Sequence, residues 1–296
     1  MQPPLSCGMD RRRFLGVGTG LVAGWSSFSS LASALAAEEK RGDPFGGFTL
    51  GVQTYTYRKF GLERALKEIQ GLGLRYVELT QLHVPADLAP EKLKTVVKLC
   101  DDYGIKPVAW GVQHFTKNDD DNKRLFEFGK ALGIACLSAD PEPDSFDSLD
   151  KMCEEYKIAI GIHPHGPQGK NLHRWYSAEV ILEAVKNHHK LIGTCLDTGH
   201  LIRAAQEPFE KKLDPAQQVR VMGARNFGMH LKDHDNTKKT DVVFGKGPLN
   251  VAEVLKALKE AKFKGYISIE YEASENDPTP DVKACVEVFK EAVKKA

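Results

Sequence analysis

The chain has 296 residues, 42% hydrophobic and 27% charged, enough apolar content for a sizeable core and too much for a disordered or collagen-like polymer. Its 41 Lys and Arg against 40 Asp and Glu leave a net charge of +1, which argues against a nucleic-acid partner, since gripping a phosphate backbone needs a basic excess. The length exceeds the usual single domain but suits one α/β barrel.

Residues 1–36 read as an export signal peptide. Arg11-Arg12-Arg13 precedes Phe14-Leu15, an apolar run rich in Gly, Ala and Ser from Val17 to Leu35, and the small-residue site Ala34-Leu35-Ala36. Arginines ahead of Phe-Leu resemble a twin-arginine signal, with Asp10 and Gly16 as departures. That implies the twin-arginine export machinery as a partner and a periplasmic or secreted location. The run is too short and too rich in Ser and Gly for a spanning helix, so no stable membrane insertion is expected after cleavage. A polar linker at 37–47 leads into one domain at 48–296. Beyond Cys7, the cysteines 100, 136, 153, 195 and 285 are odd in number and scattered. They read as small core residues rather than a disulfide framework.

From residue 48 onward, short apolar runs alternate with amphipathic stretches. Strands are predicted at Thr49–Thr54, Tyr76–Leu79, Pro107–Gly111, Ile134–Ser138, Ala159–His163, Gly193–Asp197, Gly228–Leu231 and Tyr266–Glu270. Helices are predicted between them, among them Ala178–His189 and Asn250–Ala261, the latter with an apolar stripe at Val251, Val254, Leu255, Leu258 and Ala261. The acidic run Asp119-Asp120-Asp121 reads as a solvated helix start, and His188-His189 as a helix end complementing its dipole. Eight strand–helix units predict parallel strands closed into a single-domain (β/α)8 TIM barrel. No GxGxxG follows the first strand, which argues against a dinucleotide-binding sheet.

Chemistry in such a barrel sits at the C-terminal ends of the strands. The late strands end in His163-Pro164-His165, Asp197-Thr198-Gly199-His200, His230-Leu231-Lys232 and Glu270-Tyr271-Glu272. Side chains two apart share a face of a strand. Two residues before His163, Asp197, His230 and Glu270 stand Gly161, Cys195, Gly228 and Ser268, all small, leaving room for the four to converge. Neutral imidazole and carboxylate are ligand types for Mn2+, Co2+, Zn2+ or Fe2+. These four residues therefore predict one divalent-metal site.

The segments Cys195–His200, Met229–Asp233 and Ile267–Glu272 resemble the xylose-isomerase-like barrel superfamily, the sugar isomerase and epimerase group. The resemblance implies Asp197, His230 and Glu270 as metal ligands and His200 facing substrate. It also exposes a departure: His163-Pro164-His165 stands where the group usually has a ligand glutamate followed by histidine. His163 keeps a ligand but loses the second carboxylate of a two-glutamate proton shuttle. The implied chemistry is proton abstraction next to the carbonyl of a sugar or keto-sugar through a metal-stabilised enediolate. Glu270 or His165 would move the proton, with His200 and Lys232 holding oxyanion charge. Glu78 and Trp110 are further candidates for substrate contact, Trp110 by stacking. A keto-glycoside lyase or hydratase on the same metal, or a non-catalytic carbohydrate-binding protein, are the alternatives.

Overall fold

The structure, a computed structural model, describes residues 43–296. The expected export segment and most of the linker lie outside the described residues. In chain order the strands are β1 (Thr49–Gln53), β2 (Tyr76–Leu79), β3 (Lys106–Phe115), β4 (Cys136–Pro141), β5 (Ala159–Ile162), β6 (Ile192–Asp197), β7 (Asn226–Leu231), β8 (Asp233–Asp235), β9 (Thr240–Val242) and β10 (Tyr266–Ile269). Eight of them pair in parallel in the closed order β1-β10-β7-β6-β5-β4-β3-β2, while β8 and β9 form a separate antiparallel hairpin. The helices are α1 (Leu62–Gly71), α2 (Pro90–Asp102), α3 (Asp119–Leu132), α4 (Phe146–Tyr156), α5 (Ala178–Val185), α6 (Thr198–Arg203), α7 (Pro215–Met222), α8 (Val251–Glu260) and α9 (Thr279–Val293). This is the (β/α)8 TIM barrel that the strand–helix rhythm predicts. Among the described residues no helix is long and apolar enough to cross a membrane.

Local chemistry sets the helix ends. Asn118 caps α3 by accepting from the N–H groups of Asp120 and Asp121, and the three aspartates in the first turn favour the positive end of the dipole. Gly133, at φ +71°, closes the helix in the left-handed region. Asn250 caps α8 in the same way, and Val251, Val254, Leu255 and Leu258 are buried as their spacing predicts. The α5 helix stops at Val185, four residues short of the expected end. His188 and His189 therefore do not serve its C-terminus. His188 Nδ1 lies 2.9 Å from Asp150 Oδ2, and His189 Nε2 lies 3.0 Å from Glu154 Oε2, both carboxylates on α4.

The period-two alternation along the strands divides the core. Leu196, Met229, Ile267 and Ile269 join the large apolar layer between barrel and helices. Ala109, Cys136, Ala159, Cys195 and Tyr266 form a second, smaller cluster filling the barrel interior. There Cys195 Sγ lies 3.3 Å from the Tyr266 hydroxyl. A Cβ on Gly228 would sit 2.6 Å from the Tyr266 ring, so a larger residue on β7 would displace the tyrosine. The five described cysteines are all buried and unpaired.

Candidate metal centre

The inward phase delivers His163, Asp197, His230 and Glu270 to one point. Asp197 ends β6 and stands opposite His230 of β7, because a register shift between Thr194 and Cys195 brings the two level. His163 and Glu270 follow directly on β5 and β10. One donor atom from each of the four lies within 4.8 Å of all the others. The facing separations are 2.8 Å from His163 Nε2 to His230 Nδ1, 3.4 Å from His163 Nε2 to Asp197 Oδ2, and 2.9 Å from His230 Nδ1 to Glu270 Oε2. The edge from His230 Nδ1 to Asp197 Oδ2 is 3.8 Å. Ligands about 2.1 Å from a tetrahedral cation stand about 3.4 Å apart, a value these separations bracket. Asp197 Oδ2 and Glu270 Oε2 are buried without a hydrogen-bond partner, an arrangement a cation would satisfy. The residues fit a divalent cation.

Surrounding groups fix how each donor is presented. His230 Nε2 lies 2.8 Å from Glu78 Oε2. Glu78 is fully buried and accepts the Ser138 hydroxyl at 2.5 Å. Burial alone would raise its pKa, but His230 and the hydroxyls of Ser138 and Ser268 hold it below the usual range. The anionic Glu78 accepts the Nε2–H of His230, which turns Nδ1 toward the cluster, where it would present its lone pair to a bound cation. Asp197 Oδ1 accepts the His200 backbone N–H at 2.8 Å as the cap of α6, which leaves Oδ2 for a cation. The Lys232 ammonium sits 3.2 Å from Glu270 Oε1, 3.4 Å from Asp197 Oδ2 and 2.6 Å from Glu272 Oε1. Burial opposes ionisation of Glu270, but Lys232 overrides it and draws the pKa down to about 2.

Above the cluster opens a cleft of about 460 Å3, lined by His163, His165, His200, Arg203, Glu270 and Glu272 together with Gln53 and Tyr55. His200 Nδ1 accepts the Gly166 N–H at 3.0 Å, so its proton is on Nε2 and it offers a donor. His165 packs its ring 4.7 Å from both His163 and His173. Burial, then the neighbouring imidazoles, hold its pKa down to about 3, so it stands uncharged at neutral pH.

Two expected substrate contacts are corrected. Trp110 is fully buried, with its ring 4.4 Å from Phe128 and its Nε1–H donating to the Val84 carbonyl at 3.0 Å. It faces the helix layer because its neighbour Ala109 takes the inward position, so no sugar stacks on it. Glu78 points inward but sits behind His230 rather than in the cleft. Lys232 is also almost completely buried and bears on the cleft through Glu270 and Glu272. Sequence reasoning missed Arg203, although it stands one turn after His200 on the same helix, where i, i+3 spacing gives neighbouring side chains.

Glu78→Gln is expected to lower metal affinity about 10–100-fold, because the amide no longer holds the His230 proton as an anion does. Competition of the variant against a calibrated chelator measures this. Unchanged affinity would show that Glu78 does not tune the site.

A closed eight-strand parallel barrel with a convergent imidazole–carboxylate set at its C-terminal mouth defines a barrel protein with a candidate divalent-metal centre. The chain belongs to the xylose isomerase-like TIM barrel family, whose model matches residues 66–292. It is 31% identical over 130 residues to the uncharacterized protein MJ1311 of Methanocaldococcus jannaschii, a match over 43% of this chain and only 41% of that relative. A solved D-tagatose 3-epimerase-like protein shares the fold at TM-score 0.64 and 20% identity, covering 83% of this chain and 97% of its own. The 3-keto-D-glucoside 4-epimerase of E. coli, in its apo form, does so at TM-score 0.64 and 14% identity, covering 82% and 99%.

Proposed function

We propose that the protein is a divalent-metal-dependent sugar isomerase or epimerase, moving a proton on the carbon next to a carbonyl of a sugar or keto-sugar. The observation that carries this reading is the four-donor cluster beneath a polar cleft of a size suited to a small ligand. Sugar epimerases among the structural neighbours support it. Mn2+, Co2+ or Zn2+ bound by His163, Asp197, His230 and Glu270 supplies Lewis-acid polarisation of a carbonyl. Glu270 moves the proton: Lys232 keeps it ionised before reaction, and it reaches the cleft wall. The His200 Nε2–H donates to a substrate oxygen, and neutral His165 accepts from a hydroxyl.

A second reading, elimination, is favoured by the side from which the acids come. Among the described residues lining the cleft, the two carboxylates are Glu270 and Glu272, both leaving from the end of β10, whereas His163 and His165 come from the end of β5. A one-base reaction suits that asymmetry, with Glu270 removing the proton and an imidazole acting on the departing oxygen.

Incubating metal-loaded protein with ketohexoses and 3-keto-glucosides in D2O, followed by NMR, separates the readings. Deuterium beside the carbonyl with the carbon skeleton and its substituents intact is expected. Loss of a β-oxygen substituent would favour elimination. No exchange and no product with any of the three metals would overturn both.

A further inference from the structure

Arg203 and Glu272 line the cleft. Both residues also line a polar chamber of about 350 Å3, walled by His234, Thr240 and Asp241 of the β8–β9 hairpin. The wall is firmly held: the Asp233 carboxylate accepts the backbone N–H groups of Gly245 and Gly247 at 2.9 Å and of Leu249 at 3.1 Å.

Within this wall His234 and Asp241 form a buried pair, 6% and 8% exposed, with Nδ1 2.9 Å from Oδ1. Asp241 Oδ2 accepts the Glu272 backbone N–H at 2.9 Å, which ties the pair to the strand end carrying Glu270. With its Nδ1–H donating to Asp241, His234 keeps a lone pair on Nε2, and that atom is buried without any partner. Native folds rarely leave such an acceptor unused. The two acids of the chamber are both engaged, Asp241 by His234 and Glu272 by Lys232 at 2.6 Å. Arg203 forms no ion pair among the described residues, and its NH1 rests 3.2 Å from His200 Nδ1. An unsatisfied acceptor beside an uncommitted multiple donor complements a hydroxyl, which donates one hydrogen bond and accepts others.

We propose that this chamber is a subsite for the second sugar of a glycoside, whose reacting keto-sugar ring occupies the cleft over the metal centre. A hydroxyl of the attached sugar donates to His234 Nε2, and another oxygen of that sugar accepts from Arg203. The inference rests on the sugar chemistry proposed above and names its substrate class: two-unit keto-glycosides rather than free monosaccharides.

The test compares the 3-keto derivatives of methyl glucoside and of maltose as substrates for deuterium exchange by the metal-loaded full chain. The disaccharide is expected to show kcat/KM at least about tenfold higher. The ratio of the two, internal to each protein, should collapse in His234→Ala and in Arg203→Gln. Equal kcat/KM in the unmodified protein overturns the subsite, as does a ratio that survives both substitutions in folded protein. If neither compound exchanges, the catalytic reading has failed, and the subsite is judged by calorimetric titration with maltose and glucose. Maltose binding about tenfold tighter, and dependent on His234, would uphold it. Equal or undetectable binding would overturn it.

Discussion

Replacing Asp197 or His230 with alanine is expected to reduce metal content from stoichiometric to negligible, as read by elemental analysis of purified protein. The two losses act differently. Asp197 is the donor nearest His163 among the carboxylates and also caps α6 through Oδ1, so its removal takes away an anionic ligand and frees the backbone that positions His200. His230 lies between the cluster and Glu78, and its removal strands a fully buried carboxylate. Breaking a buried pair by deleting one partner costs about 3–5 kcal/mol, a Tm fall on the order of 10 °C for a domain of this size. Added Mn2+, Co2+ or Zn2+ should raise the Tm of the unmodified protein and leave both variants unmoved, because a ligand stabilises only the state that binds it. Full metal content in both variants would mean that the cation, if any, sits elsewhere.

Glu270→Gln should slow deuterium exchange about 10²–10⁴-fold, the usual contribution of a positioned acid–base group. The amide keeps the shape and one oxygen for the cluster but accepts no proton near neutral pH. Metal occupancy must be measured in parallel and the rate expressed per loaded chain, since Glu270 is both ligand and proton carrier in this reading. Exchange that persisted within a few-fold in loaded variant would transfer the role to His165, the uncharged imidazole on the cleft wall.

The barrel and its four convergent residues were legible because two periodicities carry them. Strand–helix alternation sets the fold, and the two-residue repeat sets the inward face. Gly161, Cys195, Gly228 and Ser268 mark that face in the sequence itself. The same rule would have turned Trp110 outward, since Ala109 beside it is the small inward residue. The tryptophan misleads because β3 runs on to Phe115, so Trp110 is not at a strand end. Glu78 shows a different gap. Its inward phase was readable, but its depth depends on the stagger of neighbouring strands, with Glu78 paired opposite Gln53 and Ala109. The His234–Asp241 pair needed the hairpin itself: nothing in the strand–helix rhythm announces two three-residue strands folded over the barrel mouth.

The five buried thiols among the described residues owe their inertness to the fold. Burial pushes the thiols of Cys100, Cys153 and Cys285 up to about 12, and those of Cys136 and Cys195 rise as well for the same reason. Without thiolate character they are inert to exchange and oxidation. That protection exists only once the barrel has closed. An unfolded chain would offer each of these sulfurs to an oxidant, open to adducts and to cross-links within or between chains. The closed barrel, rather than any pairing among the described cysteines, is what keeps these sulfurs reduced.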